Sequence, residues 1–446
     1  MRTAYQAAVH AARLVTRVAP TSDSKLWRSF AARRGLLGRI SAAARDVRDP
    51  AKPLIWMHAP SVGEGLQARP VAHRLRALHP DVQLAYTFFS PSAETFAASI
   101  GADITDYLPF DGQREADAML DALQPSALVF VKLDVWPTLV ERAAARGIPV
   151  ALLSATLAAR SGRSGPMSRM LLHDAYRALQ AVGAIDQRNA DRLVALGVRA
   201  EVLEVTGDTR FDQVWARAQG MDRAQPMLQA LTGTRPTLLA GSTWPADESV
   251  LLDAFARLMA RAARDGDVNE RPRLIIAPHE PTPTHVEPIL DWVRAKQFSC
   301  ATLAAAASDR AAAESDVIVV DRVGVLGDLY ALADVAFVGG GFHSAGLHSV
   351  IEPAAFGAPV LFGPGHDMSR EAGLLLAAGG ARIVHDAGGL AAALQDWLIA
   401  PLRRQVAGAA ARALVQQELG ATERSVRLVQ RLLGAAHPER GHATNS

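Results

Sequence analysis

Short apolar runs, bounded by glycine or proline, recur along the chain and alternate with amphipathic stretches. Residues 54–59, 128–135, 333–338 and 359–362 are runs of this kind. Their length and their lack of polar alternation predict buried parallel strands. The alanine-rich segments between them predict helices. This alternation indicates an α/β protein with parallel sheets.

A glycine turn follows the first of these strands, residues 54–59. The next amphipathic stretch predicts a helix from about Leu66 to Leu78, with Pro70 in its first turn. Glu64 lies in the turn, at the carboxyl end of a strand, where open parallel sheets bind ligands. Ser61 and Glu64 also have the S-x-x-E spacing of a capping box, so the spacing alone leaves a helix cap as an alternative.

The region between the last two strand candidates combines a glycine run with a short helix. The backbone amides of Gly340 and Gly341 are predicted to face an anion, as in glycine-rich turns that bind phosphates. Pro353 suits a first helical turn and Gly357 the position past a helix end, which places Glu352 at the helix start. The alternative is that Glu352 only complements the helix dipole and the glycines only turn the chain.

Length and charge narrow the class of protein. A chain of 446 residues predicts two domains, and a net charge of +2 does not demand a nucleic-acid partner. Cys300 is the single cysteine, which excludes an internal disulfide and fits a reducing cytoplasm. The first twenty residues lack a clear apolar core and a cleavage site, so secretion is not expected.

Basic residues dominate residues 1–48, where arginine and lysine alternate with apolar side chains such as Trp27 and Phe30. Such a basic amphipathic segment can lie on an anionic membrane surface. A pair of helices packed on the first domain is the equal alternative. No run approaches the ~20 apolar residues of a membrane-spanning helix.

Several segments together resemble one family. LYALADVAFVGGG, LHSVIEP and AAFGAPVLFGP within residues 329–364 are similar to the donor-binding half of GT-B glycosyltransferases, and most similar to 3-deoxy-manno-octulosonate (Kdo) transferases of the lipopolysaccharide inner core. HAPSVGE, VTGDTRFD and AGST occur in the family's order. The resemblance implies a GT-B fold: two Rossmann-like domains with parallel sheets that face an interdomain cleft.

The resemblance also implies a domain order. The boundary is expected near residues 212–230, and GT-B proteins usually return their last helix to the first domain. The expected segments are a basic N-terminal segment (1–48), an acceptor-binding domain (49–215), a donor-binding domain (230–420), a returning helix (421–435) and a flexible tail (436–446).

For the first domain, the resemblance nominates Glu64 as the catalytic base. Many family members read ETE-x-WP where this chain has Lys132 and Asp134 before Trp136. Asp134 then takes the role of the second acidic residue, in contact with the acceptor or with Glu64. Lys132 either neutralises an anionic substrate or snorkels from an apolar strand. Weaker candidates for acceptor or anion contact are Ser61, Lys132, Arg160 and Arg210.

For the second domain, the resemblance implies a donor site. Glu352 would bind the nucleotide's ribose, and the leaving phosphate would be stabilised by glycine amides, by hydroxyls and by a histidine. Ser349 stands where the family commonly has asparagine. The hydroxyls and histidines could equally be a helix cap and loop residues. The donor-binding candidates are Gly241, Ser242, Thr243, His279, Gly340, Gly341, His348, Ser349 and Glu352.

The implied activity is an inverting, metal-independent transfer of Kdo from CMP-Kdo to a lipid A precursor of the lipid IVA type. The expected location is the cytoplasmic side of the inner membrane, where the protein would be held peripherally or anchored by its N-terminal segment. No cofactor is expected. The only prominent D-x-D, residues 265–267, resembles a polar helix end rather than a metal site. Alternatives are a GT-B enzyme that uses a UDP-sugar and a catalytically silent nucleotide-sugar-binding relative. A dinucleotide-dependent oxidoreductase is disfavoured, because no G-x-G-x-x-G follows the first strand.

Overall fold

A computed structural model describes residues 2–20, 22, 24–158, 165–265 and 271–436. The chain divides into two compact units. The first comprises the described residues of Met1–Gln213 and Glu418–Ser446, and the second comprises those of Val214–Gln417. The position expected for Arg160, two residues of the D-x-D segment and nearly all of the expected tail lie outside the described residues.

The first unit is built on a parallel sheet of seven strands, counted over its described residues, in the order β3-β2-β1-β4-β5-β6-β7. The strands are β1 (Leu54–His58), β2 (Gln83–Phe88), β3 (Ile104–Tyr107), β4 (Ala127–Val131), β5 (Val150–Ala155), β6 (Ala181–Ala184) and β7 (Leu203–Val205). The helices are α1 (Arg2–Val18), α2 (Lys25–Ala31), α3 (Leu36–Val47), α4 (Val62–Leu78), α5 (Glu94–Ala97), α6 (Gln113–Leu123), α7 (Pro137–Ala145), α8 (Pro166–Arg177), α9 (Gln187–Leu196) and α10 (Thr209–Gly220), which continues into the second unit.

The strand order reverses direction between β1 and β4, which pair in parallel with His58 opposite Phe130. The carboxyl ends of two strands at such a reversal leave a crevice, which is where open α/β sheets bind ligands. Residues that follow β1 and β4 are therefore the first unit's candidates for chemistry.

Two predicted elements differ from the structure at this point. Helix α4 begins at Val62 rather than near Leu66, so Pro70 lies in its interior. A proline there leaves the Leu66 carbonyl without its helical partner. With its amide nitrogen turned toward Leu66, the side chain of Gln213 donates to that carbonyl at 2.8 Å. The predicted strand 128–135 ends at Val131, because Lys132 has a left-handed backbone with φ 68°.

The second unit contains another parallel sheet, again of seven strands over the described residues, in the order β10-β11-β9-β8-β12-β13-β14. The strands are β8 (Thr237–Thr243), β9 (Arg273–Pro278), β10 (Cys300–Thr302), β11 (Val317–Val319), β12 (Val335–Val338), β13 (Val360–Phe362) and β14 (Ala381–Ile383). The helices are α11 (Pro226–Leu231), α12 (Pro245–Asp265), α13 (Pro283–Ala295), α14 (Leu303–Ala306), α15 (Arg310–Ala313), α16 (Leu326–Leu329), α17 (Ile351–Phe356), α18 (Arg370–Ala378), α19 (Ala387–Leu398) and α20 (Pro401–Gln417).

Successive residues of this second sheet pack on opposite faces. Leu238 belongs to one apolar cluster and Leu239 to another, and Val335 and Ala336 divide in the same way. A sheet covered by helices on both faces needs apolar side chains at every position, which explains the continuous apolar runs in the sequence. The reversal of strand order here lies between β8 and β12.

The last described helix, α21 (Ala421–Ala436), belongs to the first unit. Val426 and Val429 are buried in that unit's core. The Asp212 carboxylate accepts hydrogen bonds from the amides of Gly420 and Thr422, each at 2.7 Å, and so fixes the start of α21. These contacts attach the chain's C-terminal helix to the first unit.

The basic N-terminal segment forms α1, α2 and α3. Helix α3 buries Ile40 in the first unit's core, and Tyr5 of α1 donates a hydrogen bond of 2.8 Å to Asp111. Leu14, Val18 and Leu26 remain 60–79% exposed. Within the described part of the chain, none of the helices combines the length and apolar character needed to cross a bilayer.

Candidate active site

The ends of β1 and β4 bring a carboxylate and a lysine together. Glu64 lies in the first turn of α4, directly after β1, and Lys132 follows β4. Lys132 Nζ donates to Glu64 Oε1 at 2.8 Å. The Glu64 side chain is 14% exposed and the Lys132 side chain 47% exposed. Lys132 is therefore neither an edge-strand residue nor a snorkelling one, and its ammonium group meets Glu64 within reach of solvent.

Burial alone would raise the pKa of the Glu64 carboxyl. The hydrogen bonds from Lys132 and Ser61 and the positive charge of Lys132 outweigh burial, and the pKa lies below its ordinary value. Glu64 is thus ionised near neutral pH. An ionised carboxylate at the carboxyl edge of a sheet can accept a proton.

Ser61 is the residue that precedes the first turn of α4, but its side chain forms no capping hydrogen bond. Its hydroxyl donates instead to Glu64 Oε2. The reciprocal side-chain-to-backbone pattern of a capping box is therefore not what Ser61 and Glu64 form. Both side chains are directed at each other.

A second cluster at the same edge holds Asp134. Its Oδ2 atom accepts from Trp136 Nε1 at 2.9 Å and lies 3.1 Å from Nε2 of the buried His58. The other ring nitrogen of His58 is 3.0 Å from the Thr87 hydroxyl, which accepts from Trp56 at 2.9 Å. In a neutral His58, the Nε2 proton faces the carboxylate and Nδ1 accepts from Thr87.

No role for His58 was predicted from the sequence, although this residue stands within the motif HAPSVGE. Its importance depends on β1 and β4 being neighbours, which the sequence does not state. Asp134 was expected to contact the acceptor or Glu64, but Glu64 is held by Lys132 and Ser61, while Asp134 pairs with His58 and Trp136. The two acidic residues occupy separate clusters.

Arg210, a candidate for anion contact, is bound to a carboxylate of the protein. Its guanidinium donates twice to Asp208 Oδ2, at 2.9 and 2.6 Å. Asp208 is buried, and its other oxygen accepts from Gln67 at 3.1 Å. Arg210 is therefore held at the base of α4 by an internal ion pair.

In the second unit, a buried carboxylate organises the ends of β8 and β12. Asp247, in the first turn of α12, accepts from the amides of Trp244, Gly340 and Phe342 at 3.0, 2.8 and 3.0 Å. The expectation that the Gly340 amide faces a phosphate is therefore wrong, because that amide is bound to Asp247. The sequence suggested no role for Asp247.

The glycine run is explained by close backbone packing. A Cβ atom at Gly339 would collide with the backbone of Ser242, one at Gly340 with that of Gly346, and one at Gly341 with that of Gly363. Gly340 also has φ 93°. Glycine at these positions lets the turn after β12 lie directly against neighbouring backbone.

The two hydroxyls at the end of β8 differ in environment. Thr243 is buried and donates to Glu248 at 2.8 Å, and burial raises the pKa of the Glu248 carboxyl despite that bond. The Thr243 hydroxyl is therefore used within the protein. Ser242 is only half-buried and has a left-handed backbone, with φ 55°. Ser242 is the hydroxyl at this edge that a ligand can reach.

Four flat rings gather next to this turn. The Trp244 indole stacks on His343 at 4.3 Å and on His279 at 4.6 Å, measured between ring centroids. His279 stacks in turn on His348 at 4.5 Å. Trp244 Nε1 donates to His348 Nε2 at 3.1 Å. The sequence predicted His279 and His348 at this site, but assigned no role to Trp244.

Glu352 lies at the second position of α17, as predicted, and Gly357 ends that helix with φ 84°. Burial raises the pKa of the Glu352 carboxyl, and Arg217 and the Ser349 hydroxyl oppose that shift. A Cβ atom at Gly241 would meet the Tyr330 hydroxyl, so Gly241 is required for packing at the end of β8. Across the residues that the structure describes, no cluster of three or more His, Cys, Asp or Glu is arranged to hold a metal.

Two α/β units, each with a parallel sheet of seven strands over its described residues and polar groups where the strand order reverses, correspond to a GT-B-like fold. A UDP-GlcNAc 2-epimerase from Neisseria meningitidis has the same fold, with a TM-score of 0.60 and 13% identity, over 85% of this chain and 100% of that one.

Sequence comparison identifies the family. Residues 28–213 match the family described as 3-deoxy-D-manno-octulosonic-acid transferase. The transferase of that name from Bordetella pertussis is 33% identical over 92% of this chain and 93% of its own length. That from Haemophilus influenzae is 26% identical over 69% of this chain and 70% of its own length. The chain belongs to the 3-deoxy-D-manno-octulosonic acid (Kdo) transferase family.

Proposed function

We propose that this chain transfers Kdo from CMP-Kdo to a hydroxyl of a lipid A precursor of the lipid IVA type, in lipopolysaccharide core synthesis. Family membership supports the transferred sugar. The observation that carries the mechanism is the ionised Glu64, placed where β1 ends and paired with a half-exposed lysine.

In this proposal, Glu64 removes the proton from the attacking acceptor hydroxyl. The acceptor oxygen forms a bond to the anomeric carbon of Kdo, the bond from that carbon to the phosphate oxygen breaks, and CMP leaves with the electron pair. Attack opposite to the leaving group inverts the anomeric configuration. General base catalysis of this kind contributes roughly 10²- to 10⁴-fold.

Lys132 has two tasks in the proposal. It keeps Glu64 ionised before the acceptor binds, and its exposed ammonium group can transfer to an anionic group of the acceptor. An anionic group on the acceptor would suit such a compact, mobile cation. Asp134, held by His58 and Trp136, then faces the acceptor as a fixed negative group.

The second unit would bind the donor. Glu352 accepts from the ribose hydroxyls, and Ser242, His279 and His348 supply polar contacts to the nucleotide's phosphate. Gly341 and Ser349 complete this set, whereas the amide of Gly340 serves the fold. The transfer needs no cofactor, and we expect it to persist in an excess of chelator.

Location follows from the same proposal. The lipid acceptor lies in a membrane, and α1 and α2 expose Leu14, Val18 and Leu26 among basic residues. Basic residues with exposed apolar neighbours favour peripheral binding to anionic lipids. We propose peripheral contact with the cytoplasmic face of the inner membrane.

The test is transfer from CMP-Kdo to a tetra-acylated lipid A precursor by the unmodified protein and by Glu64→Gln. We expect the variant to bind CMP normally and to lose about 10³-fold in kcat. Lys52→Met, an exposed change in the same unit, is the control. Transfer that survives in Glu64→Gln would remove Glu64 as the base. Competition by UDP rather than CMP would indicate a UDP-sugar donor, and binding without transfer would indicate a silent relative.

A further inference from the structure

The hydrogen bond between Trp244 and His348 determines which ring nitrogen of His348 carries a proton. An indole N–H can only donate, so His348 Nε2, 3.1 Å away, must accept. A histidine nitrogen that accepts carries no proton. The imidazole of His348 is therefore neutral, and its proton lies on Nδ1.

The surroundings of His348 favour the same neutral state. His279, after β9, stacks on it, and His343 of the glycine turn lies across Trp244. Burial lowers the pKa of His348, as do His279 and His343, while Asp247 of α12 opposes them. The Asp247 carboxylate already accepts hydrogen bonds from three backbone amides, which limits how far it can stabilise a protonated His348.

We infer that Trp244 is a positioning residue, which holds His348 as the Nδ1–H tautomer so that this N–H can donate to an anionic oxygen of the nucleotide. This inference rests on the proposed function for the identity of the ligand. Within the part of the chain that the structure describes, no group accepts a hydrogen bond from His348 Nδ1. A half-buried N–H donor without a protein partner is suited to bind a ligand.

The ligand class follows from the chemistry of the cluster. A neutral N–H donor binds an oxygen without adding a charge, and the stacked rings form a flat apolar surface beside it. A nucleoside monophosphate presents both a phosphate oxygen and a flat base. His348 then orients the nucleotide through a hydrogen bond and adds no positive charge to the site.

The tautomer can be measured without substrate. In the full chain labelled with ¹⁵N-histidine, the His348 signals are assigned by their loss in His348→Gln. We expect wild-type His348 to show a protonated Nδ1 and an unprotonated Nε2 at pH 7.5. Trp244→Phe keeps a ring for stacking but lacks the N–H, so the preference for Nδ1–H should fall to a mixture.

Trp292→Phe, a change of the same kind at a half-buried tryptophan of α13, is the matched control and should leave the His348 signals in place. The inference is overturned if wild-type His348 carries its proton on Nε2 or on both nitrogens. It is also overturned if Trp244→Phe leaves the tautomer unchanged while the protein remains folded.

The effect on the ligand is measured with CMP by calorimetry. We expect His348→Gln and Trp244→Phe each to weaken CMP binding about tenfold, as the loss of one well-placed hydrogen bond does. The double variant should lose no more than His348→Gln alone. Unchanged CMP affinity in both single variants overturns the role of His348 in binding. Wild-type protein that fails to bind CMP contradicts the proposed donor and the ligand part of this inference, while the tautomer is decided by the spectra alone.

Discussion

The two sheet edges hold carboxylates in opposite ways. At the end of β1, Glu64 accepts from two side chains, Ser61 and Lys132, and the lysine is half-exposed. At the end of β8, Asp247 is fully buried and accepts from three backbone amides. Side-chain donors can be exchanged for a substrate, whereas backbone donors cannot leave without unfolding the turn.

This difference separates chemistry from scaffold. At the first unit's edge, the charges of Glu64 and Lys132 neutralise each other through side chains that can move. Such an arrangement suits a proton acceptor. The second unit's edge consists of flat, stacked rings around a turn that Asp247 fixes. The Asp247 carboxylate maintains the shape of this edge, and the stacked rings remain available to a ligand.

Removing Asp247 should have the largest effect on stability. Asp247→Ala leaves one buried and two part-buried amides without their acceptor, and we expect the free energy of unfolding to fall by about 4 kcal/mol. The measurement is urea unfolding, together with faster hydrogen exchange at Gly340 and Phe342. Asp253→Ala, an exposed change on the same helix, should cost less than about 0.5 kcal/mol. Equal exchange in Asp247→Ala and wild type would contradict the scaffold role.

Asp134 offers a comparison between shape and charge. The hydrogen bonds of Asp134 with His58 and Trp136 use the same oxygen, so Asp134→Asn can keep these two bonds through its amide oxygen. We expect Asp134→Asn to lower the unfolding free energy by about 1 kcal/mol and Asp134→Ala by about 3 kcal/mol. Transfer should still fall in Asp134→Asn, because the charge is gone. Equal destabilisation by both changes would show that the charge, not the oxygen, holds this cluster.

The sequence predicted most of the elements but few of the contacts that their side chains make. The strand candidates were located correctly, although the one at 128–135 ends early, and the helix at Glu352 was correct, because apolar runs, Pro353 and Gly357 are local signals. The parallel class followed from the same runs, since both faces of each sheet are covered. The bond between Glu64 and Lys132 joins residues 68 positions apart and depends on β1 and β4 being neighbours.

The errors also have local causes. Proline at position 70 was expected in a first turn, but the side chain of Gln213, distant in sequence, supplies the donor that proline lacks. Lysine seldom adopts the left-handed backbone that ends β4, so no residue type marked that strand's end. Glycine is required both where backbone amides face an anion and where two stretches of backbone pack closely. The glycine run therefore suggested an anion site, although close packing explains it.

Lys132→Met tests the exchangeable pair directly. Removing the lysine takes away a hydrogen bond and a positive charge that lower the Glu64 pKa, while burial, which raises it, stays. The pKa of Glu64 should therefore rise, and the acidic limb of kcat/KM should move to higher pH. The pH profile of transfer is the measurement, with Lys52→Met as the control. An acidic limb that stays in place or moves to lower pH would contradict the pairing.

Ser61→Ala should give the smallest effect and decides what Ser61 does. If its hydroxyl serves Glu64, the acidic limb moves in the same direction as in Lys132→Met but less far, because Lys132 remains, and kcat/KM changes by about threefold. Stability should change by less than about 0.5 kcal/mol, because the hydroxyl makes no capping bond to α4. A loss near 1 kcal/mol with an unmoved pH profile would instead make Ser61 a helix cap. Glu64 would then depend on Lys132 alone, and the first unit's edge would rest on a single exchangeable ion pair.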